Sequence, residues 1–196
     1  MNRYFIIYKP YQVLSQFSES GDKKILKDFF KVPADVYPVG RLDFDSEGLL
    51  LLTNDKKLNH RLLNPGFAHE RTYWVQVDGN ISQQAIDQLQ PGVTINVDGK
   101  NYHTKKCRAA LFTVDPTVPE RTPPIRFRKN IPAPWIALTL TEGKNRQVRK
   151  MTAAVGYPTL RLIRYSIGSI NIDGLMPGDI KELDSKEVYQ SLGLLS

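Results

Sequence analysis

The chain has 196 residues, a formal net charge of +7 and 41% hydrophobic residues, enough for one large domain or two small ones with a real core. Three histidines and the single Cys107 leave no room for a disulfide framework or a usual zinc centre, so no metal is expected. No apolar run reaches the length of a signal peptide core or a membrane span, and a reducing cytoplasm is the expected compartment.

Arg3 to Tyr8 is apolar and aromatic and predicts a first strand, ended by Lys9-Pro10. Ile25, Leu26, Phe29 and Phe30 recur at helical spacing, predicting a helix over Asp22 to Phe30. Pro33 and Pro38 then break the chain. The uninterrupted run Leu49 to Leu52, bounded by Gly48 and Thr53, reads as a buried strand. Asn54-Asp55 caps a short helix with Leu58, Leu62 and Leu63 on one face. Arg71 to Val77 alternates, with Tyr73, Val75 and Val77 on one side. Ser82 caps a helix carrying Ala85, Ile86 and Leu89.

From Val93 the pattern turns to strands, Val93 to Val97 and Tyr102 to Val114, with Asp98-Gly99 as a hairpin turn. Cys107 falls in the second of these, as a packed thiol. Asp115 to Pro134 holds six of the thirteen prolines and reads as a mobile, basic, proline-rich loop within the domain. Trp135 to Thr141 is a strand. Asn145 is the expected cap of a helix over Arg146 to Val155, with Val148, Met151 and Val155 as its core stripe and Arg146, Arg149 and Lys150 on a shared face. Leu160 to Ile172 gives one or two strands, with Arg161 and Arg164 adding charge, and Lys186 to Leu192 a last helix. The class is α+β, with a large mixed, mainly antiparallel sheet and flanking helices.

The charge is concentrated. Residues 100 to 150 hold twelve Lys or Arg against three acids, while the remainder is nearly balanced. Clustered cations suit a polyanion. Lys105, Lys106, Arg108, Arg121, Arg126, Arg128, Lys129 and Lys150 are therefore expected to contact a nucleic acid.

The stretch Gly40-Arg41-Leu42-Asp43-Phe44-Asp45-Ser46-Glu47-Gly48 places charge at the mouth of the leucine strand. If extended, it turns Arg41, Asp43 and Asp45 to one side and anchors itself through Leu42 and Phe44. The same residues also serve as ordinary turn formers. There is no Walker-type phosphate loop and no dinucleotide glycine motif. His60, His69 and His103 follow no pattern. Chemistry at a site here would rest on carboxylates, cations and aromatics. A carboxylate acting at a sugar carbon must stay ionised, and a neighbouring guanidinium favours that form.

Three stretches in order, Gly40 to Leu51, Arg71-Thr72-Tyr73-Trp74-Val75, and Glu142-Gly143-Lys144-Asn145-Arg146-Gln147-Val148-Arg149-Lys150-Met151, resemble the motifs of the RNA pseudouridine synthase family, in the branch that acts on ribosomal RNA. The flanks Tyr8-Lys9-Pro10 and Gly156-Tyr157-Pro158 resemble it too. The resemblance implies the pseudouridine synthase catalytic fold over residues 1–196, with a central RNA-binding cleft; many relatives carry an amino-terminal S4-type domain, and as a departure from that pattern none is expected here. It implies isomerisation of a uridine in ribosomal RNA, most readily of the large subunit, with no cofactor. By motif position it implies Asp43 as the catalytic aspartate, Arg149 as its ion-pair partner and Tyr73 packed on the target base. Arg41 fills the gap left by the flipped nucleotide, Val148 lines the base pocket, and Lys144, Asn145 and Arg146 bind substrate. Asp45 and Glu47 are left to loop structure.

Whether the aspartate attacks C1′ or removes a ribose proton stays open at the level of sequence. So do a non-catalytic ribosomal RNA-binding factor on the same fold and a carboxylate glycosidase. A monomer is expected, since enclosing a large RNA leaves little reason for self-association.

Overall fold

The computed structural model describes residues 1–125 and 131–195. The chain divides into two compact units, Met1–His69 with Ile163–Ser196, and Glu70–Leu162. Among the described residues there are four α-helices, and the strand pairings are mixed and mainly antiparallel.

The first unit is built on β3 (Glu47–Thr53), every residue of which is buried. It pairs antiparallel with β1 (Tyr4–Lys9), in a register running from Tyr4 opposite Thr53 to Lys9 opposite Gly48. β1 carries β11 (Ile180–Leu183) on its other edge. The second edge of β3 takes β2 (Tyr37–Pro38) at Leu52 and Thr53. At Glu47 and Gly48 it takes β9 (Thr159–Ile167), which runs parallel. β10 (Ile170–Asn171) turns back on β9. Phe5, Ile7, Leu50 and Leu52 meet Val13, Leu26, Phe30 and Val36 in one cluster. The odd-numbered leucines face the other side and are also buried. Burial on both faces is why this strand reads as a continuous apolar run rather than an alternating one.

Helix α1 (Lys56–Leu63) is capped by Asp55, whose Oδ1 accepts the amides of Lys57 and Leu58 at 3.0 and 3.1 Å. Leu58 and Leu62 are buried, whereas Leu63 is 50% exposed, so the apolar stripe is narrower than expected. The expected helix over Asp22 to Phe30 shrinks to a single 3-10 turn, Leu26–Asp28. Ile25 is held extended by a parallel bridge to Leu14, and its amide donates to Asp28 Oδ2 at 2.9 Å. A tertiary bridge thus overrides the helical spacing.

In the second unit β4 (Arg71–Val77) pairs antiparallel with β8 (Trp135–Leu140), which pairs with β7 (Arg108–Leu111). β5 (Thr94–Val97) and β6 (Lys100–His103) form a separate hairpin. At its turn Asp98 and Gly99 both adopt positive φ, 51° and 81°, the conformation that a two-residue primed turn demands. Between β6 and β7 the expected single strand is broken. Thr104 accepts the Val93 amide through its hydroxyl, and the Cys107 amide donates to the Gln90 carbonyl. Cys107 therefore lies outside any strand, although it is packed as expected. Its thiol donates to the Leu89 carbonyl at 3.1 Å, and burial, then Glu142, push it up to about 11.

Helices α2 (Gln83–Leu89) and α3 (Gln147–Ala154) complete this unit. Their residues Ile86, Leu89, Val148 and Met151 join Val75, Val77, Ile136, Leu138 and Leu140 in its core. Helix α4 (Ser185–Ser191) belongs to the first unit and is capped by Asp184.

Candidate active site

In the first unit, residues 40 to 46 leave the buried strand as a braced loop. Leu42 is buried as an anchor, Arg41 is exposed and Asp43 is half-buried. The extended arrangement does not persist through Asp45. The Ser46 amide donates to the Asp43 carbonyl at 3.0 Å and closes a turn over Phe44 and Asp45. The Ser15 hydroxyl bonds both backbone groups of Leu42, donating to its carbonyl at 2.8 Å and accepting its amide at 3.0 Å. The Gln12 amide donates to the Phe44 carbonyl at 2.8 Å. Glu47 is not a loop residue: it opens β3 and is buried.

Two buried cations serve this loop and strand. Lys9 has no exposed surface, and its ammonium donates to the carbonyls of Pro10 at 2.9 Å and Val13 at 2.7 Å. Burial pushes it down to about 7, against the opposing pull of Glu47, Asp43 and Asp45, while Arg164 adds to the depression. The Arg164 guanidinium, also buried, donates through Nε to the Leu49 carbonyl at 2.7 Å. Sequence reading treated Lys9 as a strand terminator and Arg164 as added charge. Each occupies the interior instead.

In the second unit, Tyr73 is half-buried on β4 and packs against the core cluster that contains Val148. Arg149 and Lys150, both half-buried, stand on α3. Asn145 does not cap this helix. The N-cap is Arg146, in the left-handed region at φ 51°, with no side-chain cap bond, so the expected three-cation face is broken at its first member. The Gln147 side chain organises the helix start instead. Its oxygen accepts the Lys144 amide at 2.9 Å, and its Nε2 donates to Glu142 Oε1 at 2.7 Å. The buried Glu142 also accepts the Lys105 amide at 2.8 Å and the Tyr102 hydroxyl. Sequence reading missed both Gln147 and Glu142, although they lie inside the motif it quoted. The Lys144 ammonium lies over the Tyr102 ring, 4.7 Å from its centroid.

The cations expected on RNA divide. Lys105 and Lys106 are exposed. Arg108 is held in a two-pronged ion pair with Glu70, at 2.6 and 2.8 Å. Arg121 donates through Nε to the Pro123 carbonyl at 2.8 Å. Arg126, Arg128 and Lys129 lie outside the described residues. The proline-rich stretch has no helix or strand among its described residues. Arg161 donates to the Pro119 carbonyl at 2.8 Å, and the Pro132 and Pro134 carbonyls accept the amides of Gly79 and Val77. Among the described residues no cluster of His, Cys, Asp or Glu fits a metal ion, and no helix is long and apolar enough to cross a membrane.

A family model described as RNA pseudouridylate synthase matches residues 3–154. A ribosomal large subunit pseudouridine synthase E from Vibrio parahaemolyticus is 50% identical over 184 residues, covering 93% of this chain and 74% of its own. One of the same name from Xanthomonas axonopodis pv. citri is 48% identical over 174 residues, covering 88% of this chain and 89% of its own. A solved structure described as a crystal structure of pseudouridylate synthase superposes with a TM-score of 0.77 at 27% identity, over 97% of this chain and 74% of that one.

Proposed function

The chain belongs to the RNA pseudouridine synthase family and has its fold, and we propose that it converts one uridine of large-subunit ribosomal RNA to pseudouridine. The names of its relatives support that substrate. In this reaction the N1–C1′ bond breaks, the uracil turns while held, and a C5–C1′ bond forms. The proton on C5 leaves and N1 gains one. Atoms and electrons balance within the nucleotide, so the scheme calls for no cofactor.

Asp43 is the reacting carboxylate in this reading. Arg149 supplies the guanidinium that keeps it ionised, and Tyr73 stacks on the extruded base, with Val148 beside it. Arg41 takes the vacated place in the RNA. Lys144, Asn145 and Arg146 bind the substrate strand. Lys105, Lys106, Lys150 and the basic proline-rich stretch hold the surrounding phosphates. The observation that carries the proposal is the bracing of the loop. Ser15 and Gln12 fix the backbone on either side of Asp43, as a reacting group requires, while Asp43 itself keeps solvent-exposed surface. The working species is a cytoplasmic monomer, which gel filtration checks.

Tritium release from RNA carrying 5-tritiated uridine is the direct assay. Asp43→Asn abolishes release while RNA binding persists. Full activity in that variant ends the assignment. RNA binding by the wild type without any conversion makes the chain a binding factor, and free uracil among the products makes it a glycosidase.

A further inference from the structure

In the first unit a cavity of about 420 Å³ opens on α1, none of whose lining residues belongs to the basic segment 100 to 150. Its walls are Lys56, Lys57, His60, Arg61 and Tyr189. Lys57, His60 and Arg61 are three and four residues apart and share a helix face, and Lys56 and His60 form a second such pair. Of these, Lys57 and Arg61 are like charges four residues apart, an unfavourable pairing on a helix. Among the described residues no carboxylate answers them: Lys56, Lys57 and His60 make no side-chain hydrogen bond or ion pair there, and Arg61 lies over the Phe67 ring, 5.3 Å from its centroid. The nearest acid in the sequence, Asp55, is buried and fully engaged. It accepts the amides of Lys57 and Leu58 and the hydroxyls of Tyr4 and Tyr189. Because the Tyr189 hydroxyl is committed to Asp55, its ring serves as the wall.

The aromatic neighbour matters as much as the charge. Phe67 is 45% exposed, with Arg61 against it and His69 6.3 Å away, centroid to centroid. Left-handed Ala68, at φ 49°, turns the chain immediately after it. Unanswered cations in a concavity beside an open aromatic ring are the two elements with which proteins hold single-stranded nucleic acid: backbone neutralisation and base stacking.

We propose that this pocket is a second RNA contact, binding backbone phosphates of the substrate strand through Lys56, Lys57, His60 and Arg61, with a base stacked on Phe67. It rests on the reading of the protein as RNA-acting and adds a contact on α1 to those proposed for Arg41 and Asp43 in the same unit.

The test uses the full chain and a fluorescein-labelled single-stranded RNA, with affinity followed by anisotropy across a salt series. Each phosphate neutralised on a single strand contributes about 0.7 to the slope of log affinity against log salt. Lys56→Gln/Lys57→Gln therefore flattens the slope by about 1.4 and weakens binding roughly tenfold or more near 0.1 M salt. Phe67→Ala weakens binding about fivefold or more with the slope unchanged. Lys27→Gln/Lys31→Gln, an equal loss of charge on exposed lysines elsewhere in the same unit, leaves both quantities at wild-type values. The proposal is overturned if the Lys56/Lys57 variant keeps the wild-type slope, or if the control pair flattens it equally. Circular dichroism confirms the fold of each variant. These readouts are binding constants, so they stand or fall separately from tritium release.

Discussion

The Lys9 ammonium donates to the Val13 carbonyl at 2.7 Å with no solvent-exposed surface of its own. The bond ties the end of β1 to the segment that braces the Asp43 loop. Its folded-state value, pushed by burial down to about 7, lies well below the roughly 10.4 of an unfolded lysine. Between these two values the unfolded chain binds the extra proton, so stability from this group rises with pH. The favourable contribution is complete above the unfolded value and is lost as pH falls through about 7. Lys9→Met removes this dependence. The stability difference between wild type and variant should grow in favour of the wild type by about 1 kcal/mol per pH unit above neutrality. Urea denaturation at several pH values from neutral upward measures it, and a constant difference contradicts the assignment.

Gly48 is where β3 meets β9. It has φ +103°, and a Cβ there would lie 2.4 Å from the Arg164 carbonyl oxygen and 2.8 Å from its amide nitrogen. Both obstacles are backbone. Gly48→Ala should therefore cost roughly 3 kcal/mol or more, from left-handed strain and forced strand separation. It also disturbs the Arg164 bond to the Leu49 carbonyl. A fall of about 9 °C in the melting transition is expected, and a wild-type melting curve would refute it.

What the sequence disclosed follows the range of the forces involved. Asp55, Ser82 and Asp98-Gly99 act within a few residues, so capping and turn chemistry place them correctly. β3 and β8 are legible because their burial patterns are regular. The failures are tertiary. Ile25 is extended because Leu14 bridges it, and β11 is an edge strand with three exposed residues out of four. Arg161 and Arg164 look like surface charge until the distant carbonyls of Pro119 and Leu49 supply their partners. The pocket on α1 escaped because its four basic residues sit in a region whose charges balance overall, and charge counted along the chain does not report concavity. The roles proposed for Asp43, Tyr73 and Arg149 rest on motif resemblance alone. Spacing alone left Asp43 as a turn residue, and a turn is where it stands.

Glu142 joins three donors: the Tyr102 hydroxyl, the Lys105 amide and the Gln147 amide group. The carboxylate accepts from all three, two on Oε1 and one on Oε2, whereas Glu142→Leu leaves all three donors without an acceptor. A buried acceptor network broken in this way costs about 2–3 kcal/mol. Tyr102→Phe, which removes one donor from a half-buried position, should cost only about 1 kcal/mol. Because Gln147 sets the start of α3, Glu142→Leu should also lower tritium release more than Tyr102→Phe does. Equal stabilities and rates for the two variants would show that the network does not organise this helix.

Asp55 links three elements of the first unit. It caps α1, and its Oδ2 accepts the hydroxyls of Tyr4 on β1 at 2.8 Å and Tyr189 on α4 at 2.7 Å. Burial pushes its carboxyl up, but the bonds from Tyr189, the Leu58 amide, Tyr4 and the Lys57 amide together outweigh burial and hold it below the ordinary value. A depressed carboxyl contributes stability that is in place above its unfolded value, about 3.9, and lost as pH falls through the folded one. Asp55→Asn keeps an oxygen for the cap and an amide that the tyrosine hydroxyls can accept. It should be nearly as stable as wild type at neutral pH and lose less on acidification below about pH 4. Asp55→Ala loses the cap, about 1–2 kcal/mol, and strands the buried Tyr4 hydroxyl at a further 1–3 kcal/mol or so. Denaturation curves of the three proteins at neutral and acid pH separate these contributions. An alanine variant as stable as the asparagine one would show that neither the cap nor the tyrosine pair depends on this carboxylate.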